Sequence, residues 1–209
     1  MTDIQVDLGN WVKEGFDLYK DNFGVLVLAS LIAIILSGAT FGILAGPMCA
    51  GMILITLKLY ENGDEKAEIG DLFKGFNFFL QSFLFIVVWA ILLFVPSAIL
   101  CIIPFLGLFA AICLQVAAGA CLMFALFLIV DKQMDFWPAS MESFNLVKTD
   151  FWPFLGLSLV AGILGYIGII LFGIGVFLTL PIYFCVVTVA YRKVFRRDAQ
   201  TLPTPSAGD

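Results

Sequence analysis

Apolar residues recur along this chain in two rhythms. In the first they fall at Leu8, Trp11, Val12, Phe16, Tyr19 and Phe23, again at Ile69, Leu72, Phe73, Phe76, Phe79, Leu80 and Phe83, and again at Trp137, Met141, Phe144, Val147 and Phe151. These are the i, i+3, i+4, i+7 steps of one helical face, with Asn10, Lys13, Glu14 and Asp17 on the far side of the first. In the second rhythm charge stops altogether. Asn22–Leu57, Gly75–Val130 and Phe151–Tyr191 contain no charged residue. The pattern predicts three amphipathic helices, each leading into an uncharged run.

The amphipathic segments share a phrase. Glu14-Gly-Phe-Asp-Leu-Tyr-Lys-Asp-Asn-Phe23 returns as Glu142-Ser-Phe-Asn-Leu-Val-Lys-Thr-Asp-Phe151, with Glu, Phe, Leu, Lys and the closing Phe in register. Lys74-Gly-Phe-Asn-Phe-Phe-Leu-Gln-Ser-Phe83 is a looser copy. Self-similarity of this kind marks a unit used more than once. A helix with aromatics on one face and charges opposite, joined to a hydrophobic span, lies flat at the headgroup boundary.

A spanning helix needs about 20 residues to cross roughly 30 Å of hydrocarbon, so each uncharged run suits two crossings. Turn residues fall near the midpoints: Gly38-Ala-Thr-Phe-Gly42, then Pro104 and Gly107, then Phe172-Gly-Ile-Gly175. The predicted fold is all-α, a polytopic membrane protein with a single integral membrane domain over 1–197 and a disordered tail at 198–209. Repeat units at about 8–60, 69–131 and 136–195 each combine an interfacial helix with a transmembrane hairpin, giving six spans. The first run leaves only about 18 residues per crossing. A competing reading is therefore one full span followed by a re-entrant segment from Gly46 to Tyr60, broken at Pro47. Pro96 and Pro104 predict kinks in the second hairpin, and Pro181 stands early in its helix as Pro47 does in its own.

Composition agrees with a lipid environment. Hydrophobic residues make up 62% of the chain and charged ones 13%, against roughly 45–50% and 25% in soluble domains. The eleven Lys and Arg lie in the N-terminal segment, the two loops between hairpins, or the end of the chain. The positive-inside rule then places both termini and both loops in the cytoplasm, since each base costs about 2.5–3.5 kcal/mol at a bilayer centre. Asp3, Asp7, Glu14, Asp17 and Asp21 interrupt the start, so a secretory signal is not expected there and the first span is read as an uncleaved anchor. Asp135-Phe-Trp-Pro138 and Asp150-Phe-Trp-Pro153 read as helix starts, with Asp accepting free backbone N–H groups.

Candidate chemistry is sparse. Cys49, Cys101, Cys113, Cys121 and Cys185 lie in apolar runs without CxxC spacing, and the chain has no histidine. They read as packing residues rather than metal ligands. The acids Glu61, Asp64, Glu65, Glu68 and Asp71 read as a solvated loop. No catalytic, cofactor or metal site is expected, and no nucleic-acid partner. The ladder Gly38, Gly42 and Gly46, the stretch Ala117-Ala-Gly-Ala120, and Gly162, Gly165 and Gly168 are candidates for close helix packing. Gln115 is the candidate intramembrane polar contact. Arg192, Lys193, Arg196 and Arg197 are candidates for anionic lipid headgroups, although a topology signal would use the same residues.

The amphipathic entry helices, the phrase with its Lys-x-x-Phe ending, the Pro181 helix and the closing Ala190-Tyr191-Arg192 resemble a broad group of uncharacterised bacterial six-span membrane proteins. That group is related to the membrane domain fused to some glycerophosphodiester phosphodiesterases. The resemblance covers roughly residues 8–197 and implies a bacterial inner (cytoplasmic) membrane. The phosphodiesterase chemistry does not carry over, since the catalytic domain and any histidine are absent. The expected function is non-enzymatic binding of membrane lipids or of a partner membrane protein. The alternative is a carrier or channel for an uncharged or lipid-like molecule.

Overall fold

The computed structural model describes residues 7–61, 67–103, 105–169 and 175–201, with the side chains of 169 and 196–201 left out. Pro104, Phe172, Asp64, Glu65 and the last residues of the expected tail lie outside it. The regular structure of the described residues is all helical, without strands. The helices are α1 (Leu8–Asp21), α2 (Phe23–Ala39), α3 (Ala45–Glu61), a 3₁₀ helix (Ile69–Phe78), α4 (Phe79–Leu100), α5 (Leu106–Leu122), α6 (Ala125–Asp131), α7 (Phe136–Thr149), α8 (Phe151–Tyr166), a short 3₁₀ turn (Ile167–Ile169) and α9 (Val176–Thr201). α9 carries its helical backbone into the stretch expected to be a tail.

Three helical stretches are long and apolar enough to cross a membrane: Ile69–Leu100, Leu106–Asp131 and Val176–Phe195. The number rises to five if the bent pairs α1–α2 (89°) and α7–α8 (113°) each count as a span. The expected six is thus resolved only to three, or up to five, among the described residues. The cause is length, since α2 and α3 have 17 residues each and α8 has 16. That is short of the roughly 20 needed for an upright crossing.

α3, α6 and α9 form the inside of the bundle. α3 is buried along most of its length, including Met48, Met52, Ile53 and Ile55, and Val186 to Tyr191 of α9 are completely enclosed. Thr188 donates to the Thr56 hydroxyl at 2.8 Å between these two helices. Around them α1 packs on α9, the 3₁₀ helix on α3, and α7 on α6. The second position of the recurring phrase meets a neighbouring helix each time: α9 for the first copy, α3 for the second and the end of α5 for the third. A Cβ on Gly15 would sit 2.7 Å from the Val186 backbone, and one on Gly75 would sit 2.1 Å from the Pro47 carbonyl oxygen. Ser143, completely buried, donates to the Cys121 carbonyl at 2.7 Å. The next residue points outward each time, with Phe16, Phe76 and Phe144 exposed by 39%, 38% and 41%.

The entry helices therefore do not place all their aromatics on the lipid side. Trp11 and Tyr19 are buried against protein while Phe16 and Phe23 face out. The second entry segment differs again, being 3₁₀ rather than α and running without a bend into α4. Three residues per turn align Phe73, Phe76 and Phe79 in one column, with ring centroids 6.4 Å apart and planes 8° apart. Leu72 and Gly75 turn inward against α3 instead.

Of the small-residue ladder, Gly42 serves the α2–α3 turn at φ +87°, Gly38 faces open space, and Gly46 alone meets another helix, at Ser82. Gly165 packs on Tyr183, whereas Gly162 has nothing near it. Asp135 and Asp150 precede α7 and α8 but make no side-chain cap. Gln81 of α4 does that work for α7. Its Oε1 accepts from the Phe136 N–H at 3.0 Å and its Nε2 donates to Asp135 Oδ1 at 2.6 Å.

Pro181 lies inside α9, so the Phe177 carbonyl four residues earlier loses its helical partner. The Ser30 hydroxyl of α2 donates to that carbonyl, and the Tyr19 hydroxyl of α1 donates to the Leu178 carbonyl at 2.6 Å. Ser30→Ala is expected to cost about 1–2 kcal/mol, because the Phe177 carbonyl is left without a partner, and Tyr19→Phe about 1 kcal/mol for the hydrogen bond lost. Thr149→Val, which removes an exposed hydroxyl bonded to Asn145, is the near-neutral control. Denaturation in detergent reads all three, and wild-type stability in both test variants would refute the role assigned to these hydroxyls.

Candidate functional site

The ends of α3, α6 and α9 converge on a charged cluster. Arg192 Nη2 lies 2.6 Å from Glu61 Oε1 and 2.9 Å from Asp131 Oδ1, and its Nη1 donates to Asp131 Oδ2 at 3.1 Å. The Tyr191 hydroxyl donates to the same carboxylate at 2.7 Å. Lys193 pairs with Glu14 of α1, which also accepts from the Tyr60 hydroxyl at 3.3 Å. Asp71 lies between Lys58 at 3.1 Å and Lys74 at 2.6 Å, and Lys132 pairs with Glu142 at 2.9 Å. Asp71 also accepts from the Glu68 N–H, so the expected solvated loop acids include one buried carboxylate with three donors.

Arg192 and Lys193, the headgroup candidates, thus turn their charges towards carboxylates of this chain. Arg196 and Arg197 lie on the α9 backbone with side chains outside the described residues. Gln115 is exposed on α5 and donates to the Ser97 hydroxyl of α4 at 3.2 Å, tying the two arms of the hairpin together. It does not join the charged cluster.

The α4–α5 hairpin stands apart from this interior. Ser82 is the only buried residue of α4. Phe94, Ile102, Phe105 and Leu106 near the tip are exposed by 71% to 91%. Where the hairpin meets α7, a cleft of about 380 Å³ opens between the helices. Trp89 and Leu93 of α4, Leu114, Ala118 and Leu122 of α5, and Phe144 of α7 line it. The Trp89 indole N–H donates to the Ser140 hydroxyl at 2.9 Å and its ring stacks on Trp137 at 6.5 Å. One wall of the cleft is fixed in that way. Reading the sequence did not find this cleft, because it takes residues from three helices. The available signal was Trp89, an indole N–H in the middle of an uncharged run that had to find a partner.

No protein-family model, no curated protein and no solved structure matches the chain.

Proposed function

We propose that the chain is a six-span protein of the inner, cytoplasmic membrane with both termini in the cytoplasm. In this reading it binds membrane lipid, or a partner within the membrane, without catalysing a reaction. The observation that carries the proposal is the α4–α5 hairpin, uncharged over its described length, with Phe94, Ile99, Leu106 and Phe109 among the large apolar side chains it leaves exposed. Apolar surface of that extent is stable only against lipid or another apolar surface.

Three repeated units are part of the same proposal, and the charge pairs support it. Asp71 of the second entry segment pairs with Lys58 at the end of α3. Glu142 of the third pairs with Lys132 at the end of α6, and Glu14 of the first pairs with Lys193 of α9. Each entry segment bonds to the exit of the unit before it, and the first bonds to the last. Gly15, Gly75 and Ser143 follow the same order. The kinship with the membrane domain of glycerophosphodiester phosphodiesterases belongs to this proposal as well.

Topology is read by single cysteines in a cysteine-free background. Cysteines at Thr40 and Leu106 are expected to react with impermeant reagents only from outside the cell, and those at Gln133 and Thr201 only from the cytoplasm. A Thr40 position reached from the cytoplasm makes α2–α3 re-entrant and removes two spans. For function, protein reconstituted in vesicles is expected to retain lipid and to pass no solute. Specific solute flux would replace the binding reading with a carrier.

A further inference from the structure

Two features of the cleft between α4, α5 and α7 go beyond a generally apolar surface, and both rest on the lipid-binding reading above. The first is its shape. Leu114, Ala118 and Leu122 follow one face of α5 over eight residues, so the groove runs along the helix for about 12 Å. It is lined by hydrocarbon along that path, and Met141 and Phe144 of α7, both partly exposed, are among the residues that line it. A groove parallel to a transmembrane helix suits an extended hydrocarbon chain better than a compact ligand.

The second feature is charge. Met141, Phe144 and Lys148 stand at i, i+3 and i+7 of α7, on one helical face. Lys58, Lys74, Lys132, Arg192 and Lys193 are all paired with carboxylates. Lys148 is exposed and, like Lys13 and Lys20 of α1, makes no ion pair among the described residues; of these three it alone stands on α7, a helix that lines the groove. It is an exposed cation one helical turn beyond Phe144, which lines the groove. From Leu122, α5 runs back towards Leu114 and the hairpin tip, which in the topology proposed above is the direction a tail takes from the cytoplasmic leaflet. We propose that the groove holds one acyl chain of an anionic phospholipid, with its phosphate at Lys148.

The test uses the full chain in vesicles doped with a phosphatidylglycerol or a phosphatidylcholine carrying a photoreactive group on the acyl chain. After illumination, adducts are mapped by peptide mass spectrometry. They are expected to concentrate on 114–122 and 140–148, and to form with phosphatidylglycerol in preference to phosphatidylcholine. Ala118→Trp fills the groove and is expected to cut these adducts about tenfold, the loss of a few buried methylenes' worth of contact. Adducts on the outer face of α4, at Ile91 and Ile99, should be unchanged. Lys148→Glu, a surface substitution that spares the fold, is expected to abolish the preference for phosphatidylglycerol, and it decides the matter if Ala118→Trp melts early. Adducts spread evenly over α4 and α5, insensitive to both substitutions, would overturn the site and leave the membrane reading standing. A reconstituted chain that forms no adducts at all would overturn the lipid-binding reading beneath it.

Discussion

Gly75→Ala is expected to abolish the native fold, or to lower its melting temperature in detergent by about 10 °C or more. Here backbone meets backbone. The new Cβ would sit 2.1 Å from the Pro47 carbonyl oxygen and 2.4 Å from the Gly51 nitrogen, and a Cβ on Gly51 would sit 2.0 Å from the Leu72 carbonyl oxygen. No rotamer change relieves such a contact, so the 3₁₀ helix and α3 must separate. That exposes Leu72 and the middle of α3, both fully buried. Ordinary overpacking costs about 1–3 kcal/mol, and a clash against two backbones belongs at or above the top of that range. About 3 kcal/mol corresponds to roughly 6–12 °C for a chain of this size. Gly70→Ala lies in the same 3₁₀ helix with nothing within 4 Å and should change little. Equal melting temperatures for the two variants would mean that α3 and the 3₁₀ helix are not in contact at these glycines.

The second large effect is expected at Asp131. Its carboxylate accepts from the Tyr191 hydroxyl and from both Arg192 terminal nitrogens. Asp131→Ala removes all three acceptor contacts at once. Tyr191 is fully buried, and the Arg192 side chain is only 19% exposed, with Glu61 as its remaining carboxylate partner. Hydrogen bonds to charged groups contribute about 1.5–3 kcal/mol each, and because the site is partly open to water a total near 3 kcal/mol is expected. Glu142→Gln breaks the Lys132 pair, in which the two side chains are 42% and 38% exposed, and should cost under about 1 kcal/mol. Denaturation of both variants in one detergent makes the comparison, and equal losses would remove Asp131 from the energetic centre of the cluster.

What the sequence made legible depended on whether the signal was local. The helical class followed from the uncharged runs, and the three copies of the phrase fall on or across the helices α1, the 3₁₀ helix with α4, and α7. Its most informative residue, however, was the small one. Gly15, Gly75 and Ser143 are the inward positions, while Phe16, Phe76 and Phe144 face away. Periodicity weights large apolar residues, so it directed attention to the outer face. It could not separate 3₁₀ from α over 69–78 either, because Phe73, Phe76 and Phe79 satisfy both spacings. The partners of the charges were beyond reach for a different reason. Glu14 and Lys193 are 179 positions apart, and nothing near either one announces the other. The same holds for Gln81, which replaces the expected Asp135 cap from 55 positions away.

The pairing of α1 with α9 has a consequence in time. Chains lengthen at about 5–20 residues per second, so Glu14 and Gly15 leave the ribosome roughly 10–35 s before Lys193 and Val186 exist to receive them. Throughout that interval Trp11 and Tyr19 have no protein to cover them. Parked on the headgroup layer, an amphipathic helix can keep those rings out of water until their partner is synthesised. The bundle is then closed by the arrival of its last helix. In the membrane reading proposed above, synthesis halted before Val176 would leave the earliest helix still waiting on the membrane surface.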